Sequence, residues 1–190
     1  MKKVELPPDR LMYPRPTLLV GSNVNGKANF MAMGGGGVVN AEPPMMGVLL
    51  RHKSYTLKGI WQNRTFSINT PSVDQLKEAD FCGIASGADV DKVKICRFKV
   101  FYGHLETAPM IEQCPVNLEC RVVNIMNLGS HDFVIGQVEG TYVDEGCFTG
   151  GKPDVKKVRP IVFDVTFHRY FAFGELVGEA YKAGLELKEK

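Results

Sequence analysis

Apolar residues come in short runs along the first half of the chain, and turn-forming residues separate them. Thr17 to Ser22 is one such run, and Asn25-Gly26 follows it. That dipeptide suits a two-residue hairpin turn, because both of its central positions need a positive φ. Lys27 to Met33 is then the predicted return arm. Four consecutive glycines, Gly34 to Gly37, and Pro43-Pro44 frame a less regular stretch before Met45 to Leu50, which reads as a buried strand. Ser54 opens a short helix through Tyr55, Leu57, Lys58, Ile60 and Trp61 that ends near Asn63. Thr65 to Asn69 alternates again, with Phe66 and Ile68 on one face.

The second half repeats the theme. Pro71-Ser72 starts a helix, because Gln75 stands three residues after Ser72 in the capping-box arrangement. Val73, Leu76 and Ala79 form its predicted inner face, and Gly83 its stop. Val116, Leu118, Cys120 and Val122 alternate with polar partners along a strand. A turn over Gly129 to Asp132 returns it, with Phe133 and Ile135 opposed to Val134 and Val138. Ile161 to Phe163 and Phe171 to Phe173 read as two more strands, and Glu175 to Ala183 as a closing helix. Many strands with few, short helices predict an all-β to α+β chain: an antiparallel barrel with short peripheral helices, in one domain over 1–190.

Charge narrows the functions. A net charge of +2, with no block of five like charges, argues against nucleic acid as a partner. Ala28 to Leu50 carries Glu42 as its one charge, but four glycines, Asn40 and Pro43-Pro44 make it a poor membrane helix. Five cysteines form no CxxC pair, and no apolar leader follows Lys2-Lys3. This predicts a cytoplasmic, reducing setting in which most cysteines are small buried hydrophobes, with no metal site by spacing.

Four segments could carry chemistry. Gly21-Ser22-Asn23-Val24-Asn25-Gly26-Lys27-Ala28 nearly spells a phosphate-binding P-loop, yet Ala28 lacks the hydroxyl that would hold magnesium, and a hairpin explains the same residues. The glycine run does not match the dinucleotide fingerprint, since Val39 and Asn40 stand where a third glycine is needed. It is either a loop or a close backbone approach to a flat ligand. Arg51-His52-Lys53-Ser54-Tyr55-Thr56 sets cations and hydroxyls where a strand ends and a helix begins. That is a competent phosphate site, or else a capped helix with a solvated basic face. In Phe81 to Lys92, small residues (Gly83, Ala85, Ser86, Gly87) surround a polar loop, and Asp91-Lys92 begins another short helix. Alone, Lys92 and the turn residue His131 read as ordinary surface groups.

In order and spacing, these segments resemble the flavoredoxin branch of the flavin-reductase-like, FMN-binding split-barrel family. The matching stretches are Tyr13-Pro14-Arg15-Pro16, Asn29-Phe30-Met31-Ala32, Gly37 to Met45, Arg51 to Thr56, and Phe81-Cys82-Gly83 with Ser86-Gly87 and Asp91-Lys92. Pro115 to Cys120, His131, Gly136, Arg159-Pro160 and Tyr170 to Gly178 continue the match, so it covers nearly the full chain. The resemblance implies a six-stranded antiparallel Greek-key barrel that forms a homodimer, with FMN at its mouth. It places Asn29, Met31, Ala32 and Met33 beside the flavin ring, where backbone N–H groups would reach N5 and O4. Ser54, Tyr55 and Thr56, backed by Arg51 and Lys53, would hold the phosphate, and the loop with Cys82, Ser86 and Gly87 would border the site.

Lys92 would favour the anionic reduced flavin by direct charge. His131 would orient a nicotinamide or exchange a proton. NAD(P)H or a small redox protein is the expected electron donor or acceptor. Many relatives carry Trp where this chain has Gly35, so the site should be more open here. The alternative is a non-redox barrel for flavin storage or for haem, the latter through His52, His104, His131 or His168 as axial ligand.

Overall fold

The computed structural model describes residues 1–187. Its first hairpin is the one that the sequence signals. Strands β1 (Leu18–Val24) and β2 (Lys27–Met33) pair from Leu18↔Met33 to Val24↔Lys27. Asn25 at φ 51° and Gly26 at φ 78° make the turn between them. Lys27 therefore enters a strand rather than a helix, which removes the geometry a P-loop needs.

Next come β3 (Gly36–Asn40), β4 (Met45–Arg51), helix α1 (Tyr55–Asn63) and β5 (Thr65–Thr70). Helices α2 (Leu76–Ile84) and α3 (Lys92–Ile95) precede the long hairpin of β6 (Val116–Asn127) and β7 (His131–Val143). The main sheet is antiparallel with the order β2-β1-β5-β6-β7-β4-β3. Its outermost strands, β2 and β3, are neighbours in sequence, joined by Gly34 and Gly35 alone. In a flat sheet seven strands wide, those edges would stand about 29 Å apart, at about 4.8 Å per strand. Two residues can reach roughly 11 Å at most. The sheet must curl until its edges nearly meet, with Gly34-Gly35 across the seam. Leu49 N–H donates to Gly35 C=O at 2.8 Å and ties the seam to β4. This is a split barrel. The sheet has one strand beyond the six expected, and the second half of the glycine run begins it.

The barrel interior holds Phe66, Leu50, Val48, Val134 and Cys120, closed at one side by Leu57 and Ile60 of α1. A second apolar cluster lies between β1–β2 and the helices α2 and α3; Leu19, Phe30, Ala79, Cys82, Phe98 and Ile111 form it. Beyond them, β8 (Ile161–Asp164) and β9 (Arg169–Ala172) form a small sheet with Arg15–Pro16. No helix among the described residues is long and apolar enough to cross a membrane.

Several sequence expectations need correction. The capping box of Ser72 and Gln75 is present, but it opens a single 3-10 turn before α2. Leu76 faces outward, while Ala79 and Cys82 form the buried face, because the 3-10 turn advances the helix phase. Gly83 does not stop α2, which runs on to Ile84. The β6–β7 turn ends at Ser130, so His131 and Asp132 belong to β7. In β6, Asn117 and Glu119 are buried rather than solvated partners. No helix forms over 175–183: Leu176, Val177 and Tyr181 stay largely exposed, and Gly178 interrupts a segment too short to stand alone.

Candidate functional site

The site is built around the free edge of β2. Its hairpin pairs alternate between those that exchange hydrogen bonds across to β1 and those that do not. The two-residue turn places Lys27, Asn29, Met31 and Met33 in the first class. The N–H and C=O groups of Ala28, Phe30 and Ala32 therefore point outward along the edge. The side chains follow the opposite logic: Met31 and Met33 pack toward the barrel interior. Met33 Sδ also accepts the Gly35 N–H at 2.9 Å. A ligand at this edge therefore meets the backbone groups of Ala28, Phe30 and Ala32 rather than those of Met31 or Met33, which are bonded to β1.

One flank of the edge is the start of α1. Ser54 is the residue before the helix, and its hydroxyl makes no capping bond. No acidic residue stands in the first turn. Arg51 and Lys53 are exposed, Ser54 and Tyr55 half-buried, and Thr56 buried. Asn29 Nδ2 donates to Thr56 Oγ1 at 2.7 Å and fixes α1 against β2. Gly87 lies against the same asparagine: a Cβ there would sit 1.9 Å from Asn29 Oδ1, so only glycine fits. Ser86 is exposed and accepts the Ala88 N–H. Asn29, Thr56 and Gly87 thus meet directly, with Arg51, Lys53, Ser54 and Tyr55 gathered beside them.

The other flank is closed. Lys92 is buried, and its Nζ donates to Phe30 C=O and to Cys82 C=O, both at 2.9 Å. Burial lowers its pKa, against the pull of Cys82 and Cys96. The Cys82 thiol is pushed up to about 12, mainly by burial, and stays protonated. Lys92 therefore straps the outward edge of β2 to the end of α2. His131 sits apart from it, across the β4–β7 ladder from Arg51. Its Nδ1 lies 2.7 Å from Ser130 Oγ. Partial burial, then Arg51, Arg10 and His52, lower its pKa.

Residues 10–157 match the family described as the flavin reductase like domain. The chain belongs to that family. Among solved structures it is similar to the flavoredoxin of Methanosarcina acetivorans, at 42% identity and TM-score 0.94, covering 98% of this chain and all (100%) of that one. It is also similar to the flavoredoxin of Desulfovibrio vulgaris (Miyazaki F), at 32% identity and TM-score 0.91, with 96% and 100% covered. An FMN-binding domain of a flavin reductase-like enzyme from Shewanella baltica matches at 25% identity and TM-score 0.77, over 86% of this chain and 88% of that one.

Within this flavin reductase like fold, one constellation was not anticipated. Asp132, only 5% exposed, lies with Oδ1 3.0 Å from His52 Nε2 and Oδ2 3.1 Å from Trp61 Nε1. A carboxylate only accepts, so His52 presents its Nε2–H to Asp132. The signal was available: alternation in β7 puts Asp132 on the face of Val134, beside the strand that ends in Arg51, one residue before His52. Placing the turn two residues too late concealed it.

Proposed function

We propose that this chain binds FMN non-covalently along the β2 edge and passes electrons through it. The observation that carries this reading is the joint between ring and phosphate positions. The Asn29–Thr56 hydrogen bond locks an edge with outward backbone N–H groups to a helix start with an uncapped hydroxyl and exposed cations. A flat heteroaromatic ligand bearing a phosphate matches both halves. The names of the related flavoredoxins and of the FMN-binding domain support the same group.

In this reading Ala32 N–H donates to the ring edge, and Ser54, Thr56 and the free N–H groups of α1 hold the phosphate. Arg51 and Lys53 add charge to it. Gly35 leaves the ring face open, because nothing larger than hydrogen projects from it. Lys92 acts by fixing the strand on which the ring lies, and its ammonium influences the ring through that distance rather than by contact. When bound, FMN supplies hydride and single-electron chemistry that no side chain here offers. NAD(P)H or a small redox protein serves as donor or acceptor, and the free cysteines suit a reducing cytoplasm. A second copy of the chain is the partner that the apolar ends support: Leu6, Met12, Tyr13, Phe173, Leu176 and Val177 are all exposed.

The test is an absorption spectrum of protein purified without added cofactor, repeated after incubation with FMN and desalting. Twin flavin bands that survive desalting establish a bound prosthetic group. No retained flavin in either sample overturns that role and puts flavin as a released substrate first.

A further inference from the structure

We propose that the groove between α1 and the β6–β7 hairpin is a second ligand site, one that takes a purine nucleotide phosphate. The groove has a volume of about 410 Å³ and is lined by His52, Leu57, Lys58, Trp61, Ile125, Asn127 and Asp132. That size is ordinary for a small-molecule site. On a helix that turns about 100° per residue, Lys58 stands nearly opposite Thr56, so the groove is separate from the Asn29–Thr56 joint.

Its aromatic wall is held in place and still open to solvent. Trp61 remains 51% exposed although its Nε1–H is held by Asp132 Oδ2. An indole with a set orientation stacks a planar base with little further loss of freedom. Leu57 and Ile125 supply an apolar floor. Asn127 Oδ1 accepts the Gly129 N–H at 2.8 Å, which leaves its amide NH₂ for the edge of a base.

The charges select an anion. Lys58 lines the groove, Arg64 reaches its Trp61 wall, and the segment from Tyr55 to Arg64 that carries them has no carboxylate. Neither cation pairs with a carboxylate among the described residues. Arg64 lies over the Trp61 ring at 5.8 Å, and Lys58 over Tyr55 at 5.6 Å. The acid of the groove, Asp132, has both oxygens engaged by His52 and Trp61. An aromatic wall, amide donors and uncompensated cations together describe a base joined to phosphate. The site is argued without the flavin and stands apart from that reading.

Trp61 is the chain's single tryptophan, so its emission reports on the groove directly. ADP, adenosine and inorganic phosphate should be titrated into the full chain, with and without saturating FMN. ADP should change Trp61 emission saturably, with adenosine and phosphate each about tenfold weaker or more. Lys58→Ala should weaken ADP about tenfold, and calorimetry on Trp61→Phe should show a comparable loss with the fold unchanged. NADP⁺ displacing ADP would identify a dinucleotide as the source, and failure to displace it a free nucleotide; either supports the site. The proposal is overturned by an absent saturable change, by phosphate matching ADP, by an unaffected Lys58→Ala, or by FMN competing with ADP.

Discussion

Lys92 and the Arg51–Lys53 pair stand on opposite flanks of the same strand, and the sequence presents both as cations beside small or hydroxyl residues. The structure treats them in opposite ways. Lys92 is 4% exposed, with two backbone carbonyls as partners, whereas Arg51 and Lys53 lie in solvent at the start of α1. A buried cation acts as a strap; an exposed one at a helix start is available to a ligand. Motif and spacing do not separate these roles, but hydrogen-bond partners do. Glu119 is the acidic counterpart of Lys92. It is fully buried and accepts from His104 N–H, Leu105 N–H and Tyr142 OH at 2.7–2.9 Å.

The comparison is broken most directly at Lys92. Lys92→Met keeps the apolar stem but leaves Phe30 C=O and Cys82 C=O without a donor, so urea unfolding should show a loss of about 3 kcal/mol. Its pH dependence has a definite sign. The folded-state pKa lies below 10.5, so the unfolded chain binds more protons between those values. Wild type should therefore gain stability relative to Lys92→Met as pH rises through the folded pKa toward 10.5. A variant as stable as wild type would show that the strap is dispensable and return Lys92 to a purely electrostatic role.

Glu119→Gln should lose about 2 kcal/mol, because an amide NH₂ would face one of three donors. Burial opposes ionisation of Glu119, yet the bonds from His104, Leu105 and Tyr142 prevail and hold its pKa below 4.5. Its contribution is present above pH 4.5 and fades as pH falls through the folded value. Acid unfolding followed by circular dichroism should lose that component in the variant.

How much of this could be read from the sequence divides along similar lines. The Asn25-Gly26 hairpin, the 55–63 helix and the Met45 strand follow from local turn chemistry and periodicity, and they agree with the structure almost residue for residue. The gathering of Asn29 with Thr56 followed from family order rather than from any local pattern. Glu119 escaped because its place on the outer face of β6 reads as solvated, whereas the 104–111 segment covers that face; Lys92 escaped because a lysine opening a short helix has no pattern that tells a buried strap from a surface charge. The 175–183 helix failed for a related reason. Its pattern is helical, but a short amphipathic segment forms only where another surface receives its apolar face.

A smaller effect tests the exposed half. Arg51→Ala should raise the dissociation constant for FMN about tenfold, or about 1.4 kcal/mol, and leave urea unfolding unchanged within about 0.5 kcal/mol. Equilibrium dialysis beside a denaturation curve separates the two. A loss of stability with unchanged flavin affinity would make Arg51 a structural residue like Lys92.

The smallest effect belongs to the seam. At Gly36 an added Cβ would lie 2.7 Å from Gly47 C=O, so packing demands that glycine. At Gly35 the nearest atom is Leu49 Cβ at 3.3 Å, and the backbone does not need a positive φ. Gly35→Ala restricts the unfolded chain, which stabilises by roughly 0.4–1 kcal/mol, while the close Leu49 contact offsets part of that. The melting temperature should move by less than about 2 °C. A fall well beyond that would mean that the seam, rather than ligand access, requires glycine at this position. An unmoved transition leaves Gly35 as the place where the barrel is free to accept or refuse a covering side chain.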